Sequence, residues 1–185
     1  FDKEDSIRIC TARAGNVIGG GDWSNDRIVV DCFENWTKGK PVTLRSPNAT
    51  RPWQHVLEPL SGYLHLGSLN YLTNSFKGES FNFGPDSQSN VKVKQLVYDL
   101  SNEVENDLLP QKIIDIQDNK KFNEATLLSL NIEKANKLLN WKPTLDYNKT
   151  IQFTAEWYNA FFNKKKSELI TKKQIIEYVK LAKIN

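Results

Sequence analysis

Ile7-Arg8-Ile9-Cys10-Thr11-Ala12-Arg13-Ala14 is a short β-prone run that ends at Gly15 and leads into the cluster Gly19-Gly20-Gly21. It reads as a buried strand entering a loop. A buried strand needs a neighbour on each side, and the remainder of the chain offers few. The expectation is that these residues are the last part of a sheet begun upstream. Composition points the same way: the 185 residues include no methionine, whereas a translated chain begins with one.

Further along, short strand-like runs alternate with segments of helical period. Ile28, Val29, Cys32, Phe33 and Trp36 recur at helix spacing before Gly39, which predicts a helix over 28–36. Pro41–Arg45 and Trp53–Val56 read as short strands, and Ser80–Pro85 as a strand stopped by Gly-Pro. Leu60, Tyr63, Leu64, Leu66 and Leu69 predict a packed helix over 60–72. Leu96, Val97, Leu100 and Val104 make one helical stripe, and Lys112–Ile116 is a strand candidate. Asn131 is placed to cap a helix carrying Ile132, Ala135, Leu138 and Leu139, which Asn140 and Pro143 bring to an end. Two helices close the chain, over 148–162 and 166–181.

Composition excludes several classes. Hydrophobic residues are 39% and charged residues 25%, so the chain has the means to build one core. No stretch approaches the roughly 18 consecutive apolar residues of a membrane span, and Phe1 begins no secretory signal, so the expected address is the cytoplasm. Cys10 and Cys32 read as reduced thiols. The net charge of +3 owes much to lysines near the carboxyl end, which read as a solvated helix face rather than a nucleic-acid grip. With only His55 and His65, and no paired cysteines, a metal site has little to build on.

The segment Ala12-Arg13-Ala14-Gly15-Asn16-Val17-Ile18-Gly19-Gly20-Gly21-Asp22-Trp23 is similar to a signature of the CDP-glucose 4,6-dehydratases, members of the extended short-chain dehydrogenase/reductase superfamily. The resemblance continues through Asp26-Arg27-Ile28, the run Pro47–Tyr63, Phe81–Pro85, Glu124-Ala125, Lys134-Ala135, Trp141-Lys142-Pro143 and Thr154–Tyr158. The uninterrupted Arg-Pro-Trp-Gln-His-Val-Leu-Glu-Pro-Leu-Ser-Gly-Tyr run, 51–63, is the most discriminating block. The resemblance implies an α/β fold: the last strands of a Rossmann-like sheet and a small, mainly helical substrate domain. It places the end of the sheet and a linking helix at 1–36 and the substrate portion at 37–185, with about 53–85 returning to the sheet.

The implied reaction removes water from a hexose carried on a nucleoside diphosphate, with NAD as the hydride carrier. It requires a site for NAD, groups that move protons, and a grip on the sugar nucleotide. The sequence has no glycine-rich dinucleotide turn, because the flanks of Gly19-Gly20-Gly21 fit the dehydratase loop and not a G-x-G-x-x-G cradle. No tyrosine is followed four residues later by lysine, so the Tyr-x-x-x-Lys pair is absent and no catalytic residue is assigned. NAD is expected to be held mainly by an amino-terminal half, with Ala14 and Gly15 at its edge.

The grip is well represented. Arginine's planar fork suits a diphosphate, and the resemblance assigns Arg51 to it, against the alternative of a structural salt bridge. Asn16 is implied to bond the phosphate or sugar region, or else to cap a loop. Arg27, at a helix start, faces the diphosphate or is a solvent-exposed charge. The resemblance implies that the short strand bearing Thr43 and Arg45 runs beside the nucleobase. His55 reads as a packing residue, and Trp53, Trp141 and Trp157 as core or interdomain packing. The partner expected is CDP-glucose or a similar sugar nucleotide, with no nucleic acid or membrane, and the full-length protein is expected to be a homo-oligomer.

Two departures stand out. Phe122-Asn123 replaces a common Pro-His before Glu124-Ala125, and Leu139-Asn140-Trp141 replaces a leucine-glycine-tryptophan helix end. Two other readings stay open: a non-catalytic sugar-nucleotide-binding module, which would have to hide its open strand edge, and a related enzyme acting on another sugar nucleotide.

Overall fold

The computed structural model describes residues 7–73, 75–86, 90–105, 107, 109–116 and 128–183. Phe122, Asn123, Glu124 and Ala125 lie outside them. In chain order the elements are β1 (Thr11–Ala14), β2 (Asn16–Ile18), α1 (Ile28–Trp36), β3 (Val42–Leu44), β4 (Thr50–His55), α2 (Leu57–Leu72) and β5 (Ser80–Phe83). They continue with β6 (Asn90–Lys92), α3 (Val93–Glu103), β7 (Ile114–Ile116), α4 (Glu133–Leu139), α5 (Tyr147–Phe162) and α6 (Ser167–Leu181).

Three small sheets result. β1 pairs with β5 in parallel, β3 pairs with β7 in parallel, and β4 lies between β2 (parallel) and β6 (antiparallel). Pro52 is tolerated in β4 because the two ladders meet there. β6 pairs with Thr50–Pro52, whereas β2 pairs with Trp53–His55, so the proline nitrogen falls where the β2 ladder has not yet begun.

The opening strand departs from expectation in length and burial. Only Thr11–Ala14 is strand, and its first three residues are exposed, because β5 is its one partner among the described residues. Helix α2 begins at Leu57, earlier than expected, and buries only part of the expected stripe, Leu66 with Leu69 packed beside it. Leu60, Tyr63 and Leu64 are exposed, while Glu58, Pro59, Gly62, Leu66 and Asn70 face inward. The cause is Gly62: any side chain there would collide with the Phe83 ring of β5, so the helix presses its bare backbone onto the sheet. Strands β2 and β6 were not expected.

The largest apolar cluster joins Val29, Phe33 and Trp36 of α1 to Leu96, Val97 and Leu100 of α3 and Ile151 and Tyr158 of α5. The Trp36 indole donates to the Ile113 carbonyl at 3.0 Å, tying α1 to the chain entering β7. A second cluster packs Phe81 and Phe83 against Leu66, Ala135, Leu139 and Trp141. Asn140 takes the left-handed conformation at the end of α4, φ 54°, as the sequence implied. Asn131 accepts from the Glu133 amide at 2.8 Å, although the residue directly before the helix is Ile132.

Candidate sugar-nucleotide cleft

The ends of β1, β2 and β4, the start of α1 and the exposed side of β3 border one open cleft of about 1380 Å³. Each element delivers its residue for a local reason. Asn16 opens β2 opposite Trp53 in the ladder, and period-two alternation puts Arg51 on the same face of β4 as Trp53. In β3 the outer residues Val42 and Leu44 point into the core, which turns Thr43 outward. Arg27 immediately precedes α1, with extended backbone.

Ala14, Gly15, Asn16, Arg27, Thr43, Arg45 and Arg51 all line the cleft. Arg45 sits one residue beyond β3 rather than on it, because the strand ends at Leu44. Arg51 donates through Nη1 to the Thr50 carbonyl at 2.9 Å. Gly15 has a packing reason to be glycine: a β-carbon there would stand 3.0 Å from the Pro52 carbonyl oxygen and 3.3 Å from Pro52 Cγ.

Sequence reading missed four further charged side chains of the lining, Arg13, Asp22, Asp26 and Asp31. Two of them meet the expected arginines. Asp22 Oδ2 lies 4.0 Å from Arg27 Nε, and Asp26 Oδ1 lies 3.4 Å from Arg45 Nη2. Burial, with Asp26 and Glu34 nearby, pushes the Asp31 carboxyl up, while Arg45 works against the shift. No short-range signal marks these pairs. The available hint was that Asp22 belongs to the same signature as the glycine loop and Asp26 to the matched block that follows it.

That loop is braced by α5. A β-carbon at Gly20 would collide with the Trp157 ring, so glycine is required for indole and backbone to meet face to face. Tyr158 donates to the Asp22 carbonyl at 2.8 Å. Trp23 packs its ring 4.7 Å from Phe161 and 5.5 Å from Tyr158, centroid to centroid. The middle glycine therefore has a packing reason to be glycine, while all three glycines line the cleft.

Behind the cleft, two signature blocks are stapled together. The Glu58 carboxylate is buried and accepts from the Thr144 amide at 3.0 Å, the Leu145 amide at 2.6 Å and the Tyr178 hydroxyl at 3.1 Å. The Trp141 indole donates to Ser61 Oγ at 3.0 Å. Burial pushes Glu58 up, and its two backbone donors oppose the shift. His55 is also buried. The Leu57 amide donates to its Nδ1 at 3.3 Å, its ring meets Phe153 edge-on, and burial lowers its pKa to about 4. It packs in neutral form, in keeping with its reading as a core histidine. Trp53, Trp141 and Trp157 are buried as well.

Among the described residues, no group of three or more His, Cys, Asp or Glu side chains is placed to hold a metal ion, and no helix is long and apolar enough to cross a membrane.

The fold is that of about half of an extended short-chain dehydrogenase/reductase epimerase. An epimerase from Methanothermobacter thermautotrophicus superimposes with a TM-score of 0.68 at 20% identity, over 90% of this chain and 46% of its own. The Bacillus cereus UDP-glucuronic acid 4-epimerase, solved with UDP-glucuronic acid and NAD, also gives 0.68, at 17% identity over 86% and 48%. The Thermotoga maritima UDP-glucose 4-epimerase, solved with UDP-glucose, gives 0.65 at 17% identity over 86% and 48%.

In sequence the chain is a homologue of the CDP-glucose 4,6-dehydratase of Salmonella typhimurium, 32% identical over 177 residues. The match takes in 96% of this chain and 48% of the relative, so the chain spans about half the length of the protein it resembles. No protein-family model matches it.

Proposed function

We propose that the chain is the carboxyl-terminal, substrate-gripping part of a cytoplasmic, homo-oligomeric CDP-glucose 4,6-dehydratase, and that by itself it is catalytically inactive. The observation that carries this reading is the meeting of Asn16 and Arg51, with Arg27, Thr43 and Arg45, on one cleft in a chain whose homologue acts on CDP-glucose. Residues 1–36 and about 53–85 form the sheet side, supported by the parallel β1–β5 pairing, and the remainder of 37–185 forms the substrate side.

In this reading Arg51 and Arg27 hold the diphosphate through charge-assisted hydrogen bonds, and Asn16 bonds the phosphate or sugar region. Thr43 and Arg45 stand at the cytosine end, where Arg45, one residue beyond β3, also faces the adjoining phosphate. Fixing both ends of the substrate removes its rotational freedom before the chemistry, which is how a binding half contributes to rate. NAD supplies the hydride exchange in such enzymes, and the residues here do not fit it as a resident group. There is no G-x-G-x-x-G turn, and Pro52 fills the space beside Gly15. Ala14 and Gly15 would at most border a dinucleotide held by another part of the enzyme.

A second reading, a related enzyme taking another sugar nucleotide, is favoured by the UDP-linked ligands of the solved neighbours. Titration calorimetry with CDP-, UDP-, dTDP- and GDP-glucose separates the two. The expected outcome is uptake of CDP-glucose in preference to the others, and weakening by about tenfold or more in Arg51→Ala, since a hydrogen bond to a charged group contributes roughly 1.5–3 kcal/mol. Preference for UDP-glucose would transfer the reading to the epimerases. Turnover by the 185-residue chain alone would overturn the assignment of inactivity.

A further inference from the structure

The cleft carries three carboxylates among its arginines, which is unexpected in a site meant for a dianion. Two of them stand on the arginines assigned to substrate: Asp22 on Arg27 and Asp26 on Arg45. Both pairs are exposed at the rim, so neither is needed to neutralise a buried charge. Their positions in the chain are also special. Asp22 makes an Asx turn, accepting from the Ser24 amide at 3.0 Å, and its carbonyl receives the Tyr158 hydroxyl. Asp26 adopts φ 59°, a left-handed backbone that aspartate tolerates through its short polar side chain, and it directly precedes Arg27 at the entry to α1. The segment 22–27 therefore hangs from α5 at one end and from α1 at the other, and it crosses the rim with a carboxylate at each end.

Resting on the reading of the cleft as a diphosphate site, we propose that Asp22 and Asp26 are internal stand-ins for the substrate's phosphates. They hold Arg27 and Arg45 in place across the cleft, and a nucleoside diphosphate takes those guanidinium groups over when it binds. A carboxylate and a phosphate compete for the same fork of donors, and the phosphate carries more charge and more acceptor oxygens. The exchange sets the affinity of the cleft. It also ties occupancy to loosening of the 22–27 segment, because the Asp26–Arg45 pair joins that segment to the end of β3 and the Asp22–Arg27 pair closes it on itself.

The test is calorimetric titration of CDP and of inorganic pyrophosphate into the chain and into Asp26→Asn, Asp22→Asn, Arg45→Gln and Asp26→Asn/Arg45→Gln. Asparagine keeps the left-handed backbone, so the Asp26 variant should fold as the parent does. The expected result is CDP binding about two- to fivefold tighter in Asp26→Asn, the size of one exposed ion pair, with a smaller gain in Asp22→Asn. The Asp26→Asn gain should disappear in the double variant. CDP binding by the parent with no gain in Asp26→Asn, or a gain that persists without Arg45, overturns the exchange while leaving the cleft reading intact. Failure of parent and variants alike to bind CDP, with circular dichroism showing folded chains, overturns both.

Discussion

Carboxylates do two different jobs in this chain. At the cleft rim Asp22 and Asp26 sit in water opposite arginines, 4.0 and 3.4 Å away. Behind it Glu58 is buried with no ion-pair partner among the described residues and is held by two backbone amides and a tyrosine hydroxyl. The rim pairs contribute little to stability, because solvent screens them and the side chains give up entropy to meet. The buried carboxylate is costly to desolvate and costlier to remove, because the Thr144 and Leu145 amides would lose their acceptor. A charge held by fixed backbone donors fixes the fold, whereas a charge held by a flexible exposed partner can be exchanged.

Removing Glu58 should give the largest effect. Glu58→Ala strands the Thr144 and Leu145 amides, which lead into α5, and stability should fall by about 3 kcal/mol or more in urea unfolding. Glu58→Gln keeps one acceptor oxygen and should lose about half as much. If Glu58→Ala costs no more than a rim substitution, the two classes of carboxylate are not distinct.

His55 extends the buried side of the comparison to pH. Its folded pKa, about 4, lies below the ordinary 6.5, so between these values the unfolded chain binds more protons than the folded one. Stability from this group is complete above about pH 6.5 and is lost as pH falls towards 4, by roughly 3 kcal/mol in all. The carboxylates also titrate in this window, so the measurement is a difference. His55→Gln should lose roughly 3 kcal/mol less than the parent between pH 7 and pH 4, and parallel curves would mean that His55 is not held neutral.

How far the sequence could foresee this division depends on the range of the interaction. Helices α1 and α5 are legible because their apolar stripes recur within one or two turns. The burial of α2 was misread because its inward face is set by Gly62 meeting Phe83, a contact between distant residues that no periodicity displays. Strands β2 and β6 are three residues each and owe their form to β4, so neither has a pattern of its own. In the cleft, Asn16, Arg27, Thr43, Arg45 and Arg51 came from resemblance to a family, not from spacing. Glu58 was hidden because a carboxylate in the first turn of a helix reads as an ordinary helix-start charge, and its partners lie more than eighty residues on.

The smallest expected effect is the sharpest test of the rim. Arg27 lies largely in water, makes no side-chain cap for α1, and meets Asp22 at the outer limit of an ion pair. Arg27→Gln should therefore leave the urea midpoint almost unchanged, within about 0.5 kcal/mol of the parent. The same substitution should weaken CDP binding severalfold and flatten its dependence on salt, because the proposed grip loses one of its cations. A stability loss approaching that of Glu58→Gln would make Arg27 a structural residue and shrink the exchangeable rim to the Asp26–Arg45 pair. Unchanged binding with unchanged stability would make it a solvated charge at a helix start, the plainer of the two roles its position allows.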